Sequence, residues 1–130
     1  MIPETVQRFV EERGIAFVAS ATLQGVPHLA AGENVRVEEP DRIIFESWCC
    51  PETLRNVKEN PVVSVAVTAP DGRNGYQFLG VVEKITDTAI LDGFVPGVEE
   101  PGMPQVASRL EVRVEAILKF SVGVHTDKPM

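Results

Sequence analysis

The chain has 130 residues, 44% of them hydrophobic and 24% charged, and carries a formal net charge of −7. That length suits one domain, residues 1–130, large enough to bury a core without disulfides or structural metal. Twelve Lys and Arg scattered among nineteen acids leave no basic stripe for nucleic acid, and apolar runs such as 15–23 are too short and interrupted to span a membrane.

The N-terminus lacks the basic and apolar regions of a secretory signal, so a cytoplasmic location with reduced cysteines is expected. Residues 2–14 read as a helix: Pro3 suits its first turn, Val6, Phe9 and Val10 have i, i+3, i+4 spacing, and Gly14 stops it. Residues 15–37 read as two strands around a Gln24-Gly25 turn, and residues 42–48 and 62–68 as a third and fourth. In the fourth, Val63, Val65 and Val67 alternate with Val62, Ser64, Ala66 and Thr68. Between these two lies a short helix, with Pro51 at its first position, Leu54 and Val57 on one face and Asn60-Pro61 as the stop.

A fifth strand covers 76–87, with Gly80 as the mark of a bulge or a close backbone approach. Residues 92–109, broken by Pro96, Gly97, Pro101, Gly102 and Pro104, read as a surface loop. Residues 109–125 read as a long last strand, with Val112, Val114, Ala116, Leu118, Phe120, Val122 and Val124 on one face at period two. The sum is a mainly β chain: a six-stranded antiparallel barrel with short peripheral helices.

Chemistry-bearing residues are few. Cys49 and Cys50 are adjacent, with His28 and His125 far off in sequence, which does not make a zinc spacing. Cys50 precedes a helix start, where a thiol feels the positive end of the helix dipole, although a small buried residue at a strand end is the commoner role. No serine sits in a nucleophile elbow, and His28 reads as a strand residue that faces either a ligand or, more commonly, solvent. Trp48, the single tryptophan, either shields a flat ligand or plugs the barrel end. The helix start beside it offers the N–H groups of Thr53 and Leu54 and the Thr53 hydroxyl as an anion cradle, opposed by the charge of Glu52.

The strings FVASATLQGVPHLAAG, RIIFESW, CPETLRNVKENPVVSVAV and GYQFLGVVEKI, in this order and spacing, resemble the FMN-binding split-barrel family related to pyridoxamine 5'-phosphate oxidase. The resemblance implies a six-stranded antiparallel split β-barrel that forms a homodimer with FMN at the interface. It also implies an oxidoreductase or electron-transfer role with a small-molecule or protein redox partner. Carried over by position, Ser47 and Thr53 contact the phosphate or ribityl chain, Gly32 and Glu33 run along the flavin edge, Trp48, Cys50 and Leu54 line the site, and Gln77 touches the flavin. Two basic positions of the family are Ala30 and Glu52 in this chain, and the basic residues that pyridoxamine phosphate needs near the C-terminus are not found, which argues against that oxidase activity itself. The alternative is a non-catalytic or thiol-dependent binding module of the same fold holding haem or a deazaflavin.

Overall fold

The structure, a computed structural model, describes residues 1–91 and 105–130. The elements run α1 (Glu4–Arg13), β1 (Ile15–Ala21), β2 (Pro27–Glu33), β3 (Val35–Glu38), β4 (Arg42–Trp48), α2 (Pro51–Glu59), β5 (Val62–Thr68), β6 (Asn74–Leu91) and β7 (Gln105–Ser121). All strand pairs are antiparallel, and the sheet order is β2-β1-β5-β6-β7-β4-β3.

That order explains the barrel. β2 and β3 stand at opposite edges of the sheet, yet one residue, Asn34, joins them. The sheet must therefore curl until its edges meet, leaving a split where β2 and β4 face each other without a ladder. Asn34 makes the corner with φ 58°, a left-handed conformation that Asn tolerates better than most residues, and its N–H donates to the Gly14 carbonyl at 2.9 Å. The sequence predicts one strand across this point; the corner divides it and raises the strand count from six to seven.

Val6 and Val10 of α1, with Ile2 just before it, are all buried and close the barrel, and the helix ends at Gly14 with φ 75°. The alternation in β5 holds, with Val63, Val65 and Val67 inward. Gly80 marks a close approach and a register shift together: a Cβ there would lie 2.4 Å from the Arg113 carbonyl oxygen, beside the break between Leu79↔Ala116 and Gly80↔Val114.

Two expectations for the C-terminal third are corrected. Residues 105–109, assigned to a surface loop, begin β7 and pair with the end of β6, where Ala107 lies opposite Ala89. The remaining residues of that loop, 92–104, lie outside the described ones. The long last strand does not keep one face. The same register shift skips Glu115, so that Val112, Val114 and Ile117 turn to the core while Ala116 and Leu118 turn outward; Val122 and Val124 lie beyond the strand and are exposed.

The outer surface has two unlike halves. Over β3, β4, β7 and the later part of β6, Arg36, Arg109 and Lys84 pair with Glu38, Glu46 and Glu111, while Arg42 and Arg113 pair with Glu83 and Glu115. Ile44, opposite Arg36 and Glu111 in the ladder, is fully buried in this half. Over β2, β1, β5 and the first part of β6, two outward rows cross the strands instead: Ala31, Phe17, Ala66, Gln77, and Leu29, Ala19, Ser64, Leu79. These rows are mostly apolar, and Leu29 is 67% exposed.

Candidate flavin cleft at the start of α2

The candidate site grows from an irregularity in β4. The β4–β7 register shifts between Phe45 and Trp48, so the strict alternation fails: Phe45 and Trp48 are both buried while Ser47 is exposed. The indole of Trp48, 1% exposed, packs edge-on against Phe45 with ring centroids 5.0 Å apart. Its other neighbour is Gly32 on β2, where a Cβ would fall 2.2 Å from the ring. Trp48 thus plugs the barrel end across the split, and Gly32 is required by the ring that covers it.

The chain then turns at Cys50, the N-cap of α2, which has no side-chain capping hydrogen bond, and Pro51 occupies the first position. Leu54 N–H donates to the Cys50 carbonyl at 3.3 Å. This corrects the sequence expectation that the Leu54 amide is free: it makes the first intrahelical bond, leaving Glu52 and Thr53 as the open first-turn amides. The Thr53 side chain is fully buried, and among the described residues its Oγ1 has no hydrogen-bond partner; neither does Trp48 Nε1, also buried. Two orphaned polar groups so close in the chain are costly unless something meets them.

α2 is held down by its other end. Asn56 Nδ2 donates to Ser20 Oγ on β1 at 3.1 Å in a buried contact, and Asn60 Nδ2 reaches the Thr22 carbonyl at 3.5 Å. His28, opposite Ser20 in the ladder, shares this inward side; it is half-buried with a buried, unpartnered Nδ1, not the solvent-facing residue that is commoner on a strand. Glu52 is exposed and forms an ion pair with Arg55 one turn on. Cys49 is exposed and Cys50 half-buried against the core, both as free thiols.

The structure therefore brings Gly32 against Trp48 and sets Ser47, Trp48, Cys50, Thr53 and Leu54 around one turn, with Glu33 exposed at the end of β2. Gln77 is apart from them. It lies on the outer face of β6, donates to Ser64 Oγ at 2.7 Å and lines a groove of about 680 Å³ with Phe17, Leu29 and Phe120. Three strand spacings, roughly 14 Å, separate it from Ala31 in its own row, next to Gly32. The sequence offered the Thr53 hydroxyl, but not its burial or that of Trp48 Nε1, which follow from the packing of α2 and from the bulge in β4. Among the described residues no three His, Cys, Asp or Glu side chains gather as a metal site.

Residues 2–119 match the family model described as pyridoxamine 5'-phosphate oxidase. The chain belongs to that family. A protein of Methanocaldococcus jannaschii is 32% identical over 74 residues, covering 55% of this chain and 49% of the relative, so the chain matches about half of that relative's length. Among solved structures, HupZ of Group A Streptococcus superposes with a TM-score of 0.70 at 18% identity, covering 97% of this chain and 99% of that one. A pyridoxamine 5'-phosphate oxidase-related, FMN-binding protein of Nostoc punctiforme gives a TM-score of 0.61 at 11% identity, covering 93% and 82%. At these identities the structural likeness is one of fold. No helix among the described residues is long and apolar enough to cross a membrane.

Proposed function

We propose that this chain is a flavoprotein that holds FMN in the split between β2 and the β4–α2 turn and works as a homodimeric oxidoreductase or electron-transfer protein. The observation that carries the reading is the pair of buried, unpartnered polar groups, Thr53 Oγ1 and Trp48 Nε1, at the open start of α2 in a chain of this family. A ribityl chain rich in hydroxyl acceptors meets that need. The FMN-binding protein of Nostoc punctiforme with the same fold adds support.

The flavin, when bound, supplies the redox chemistry by accepting and releasing electrons. The protein's part is to bind, orient and dry the site. Thr53 and Trp48 offer donors, the edge strand β2 offers backbone groups that no second described strand uses, and Trp48 backs the cleft so that water cannot enter the barrel. Leu54 and Cys50 give it an apolar lining. No side chain here is assigned as a catalytic acid or base.

A second copy of the chain supplies what one copy lacks. The charged half of the barrel satisfies itself, whereas the apolar half, with Ile15 52% and Val62 61% exposed, has nothing over it among the described residues. Two such faces meeting about a two-fold axis would bury them and bring the partner's outward rows toward each cleft. That is the role left for Gln77, which is remote from the cleft of its own chain. Electrons would pass to or from a small molecule or protein at the rim; no feature of the cleft favours haem or a deazaflavin.

The test is a visible absorption spectrum of purified protein incubated with FMN and desalted, with acid release of the pigment. The reading requires a retained yellow chromophore near one per chain and a rise in melting temperature with FMN. Colourless protein without a melting shift would dismiss it.

A further inference from the structure

We infer that the cleft recognises the ring and ribityl portion of a flavin and does not read the terminal phosphate, so that riboflavin and FMN bind with similar affinity. The inference rests on the flavin reading above and names the part of the cofactor that carries recognition. A phosphate dianion is normally held by open helix-tip amides together with cations. At α2 this arrangement is incomplete: the amides of Glu52 and Thr53 are open, but among the described residues they have no free cation beside them to help. Pro51 removes one amide, and Leu54 spends its own on the Cys50 carbonyl.

The charge is also of the wrong sign. Glu52 already stands at the positive end of the helix dipole, and Glu33 ends β2 on the other side of the split. The cation that follows on α2, Arg55, is paired with Glu52. Arg36 on β3 and Arg109 on β7 are engaged by Glu38, Glu46 and Glu111. A phosphate arriving here meets two carboxylates set against the two open amides, while every cation just named has a carboxylate of its own. The phosphate therefore adds little net binding, and riboflavin keeps the contacts to Thr53 and Trp48.

Equilibrium titration of FMN and riboflavin, followed by flavin fluorescence and by calorimetry, decides the matter in wild type and in Glu52→Lys, an exposed substitution with little risk to folding. The expected result is dissociation constants within about threefold of each other in wild type, with little change in the FMN value between about 50 and 500 mM salt. Glu52→Lys should then tighten FMN by about ten- to hundredfold and leave riboflavin unchanged, since it adds a charge-assisted contact to the phosphate alone. Wild-type FMN bound more than tenfold tighter than riboflavin, weakening as salt rises, would overturn the inference and leave the flavin reading standing. Equal effects of Glu52→Lys on both ligands would overturn it as well, by removing the phosphate from the helix tip. Binding of neither flavin would sink both.

Discussion

Gly32→Ala should destabilise the protein through one side chain, the indole of Trp48. The new methyl carbon would lie 2.2 Å from Cζ3 and 2.6 Å from Cε3 of that ring. Carbon contacts settle near 3.5–4.0 Å, so the ring must retreat by more than about 1 Å. It has little room, being 1% exposed with Phe45 packed edge-on behind it. Overpacking of this kind costs about 1–3 kcal/mol, and the size of the required shift puts Gly32→Ala in the upper part of that range. At this chain length that corresponds to a loss of roughly 6–12 °C in Tm. Trp48→Phe removes the part of the indole that meets the methyl, at a cost of its own of about 1–3 kcal/mol from the space it leaves. In the double variant the clash is gone, so the two losses should fall short of their sum by about 1–2 kcal/mol. Urea and thermal melts of the four proteins, at one protein concentration, complete the cycle. Losses that add to within about 0.5 kcal/mol, or a neutral Gly32→Ala, would show that Trp48 does not fill the split as described.

Three further outcomes follow from the same geometry. Asn56→Ala leaves the buried Ser20 hydroxyl without its donor and loosens α2 from β1, so urea melts should show a loss of about 1–3 kcal/mol; a change under about 0.5 kcal/mol would remove this contact from the account. The hydrogen bond from Arg36, then the nearby charges of Arg36 and Arg109, hold the Glu46 carboxyl below its ordinary range despite opposing desolvation. Its folded pKa is the lower one, so its contribution is present above the unfolded value and fades as pH falls through the folded one. Glu46→Gln should therefore flatten the decline of the urea midpoint below about pH 4.5, and parallel pH curves would contradict that. Phe17→Asp, in the middle of an outward apolar row, should convert the proposed dimer to a monomer in sedimentation velocity; an unchanged dimer would move the interface elsewhere, and a monomeric wild type would remove the dimer from the proposal.

Much of the barrel was legible because its signals are local. The apolar spacing in α1, the alternation in β5, the Gly25 turn with φ 85° and the Asn60-Pro61 stop each act within a few residues, and the structure keeps them. What escaped depends on partners distant in sequence. The corner at Asn34 looks like any polar residue in a strand until β3 is seen to pair with β4. The faces of β7 exchange because Gly80 lets the Arg113 carbonyl approach β6, and period-two counting along one strand cannot register a residue skipped by its neighbour. The start of β7 was hidden by the prolines and glycines just before it.

The site divides in the same way. The stretch from Ser47 to Leu54 is contiguous, so its residues had to share one turn, and the family strings marked it. The fates of individual side chains were not readable there: the bulge in β4 sends Trp48 inward and Ser47 outward, and Thr53 loses its exposure to the packing of α2. Gln77 was drawn to the flavin by position in the chain, but its face of β6 looks away from the cleft of its own subunit.

Trp48 is the single tryptophan, and it backs the proposed cleft, so its emission reports directly on occupancy. Titration of FMN into the protein should quench that emission saturably, with an endpoint near one flavin per chain, and the quench should weaken when Thr53 is changed to Val. Linear, unsaturable quenching up to millimolar FMN, identical to that of free tryptophan, would contradict a flavin beside Trp48.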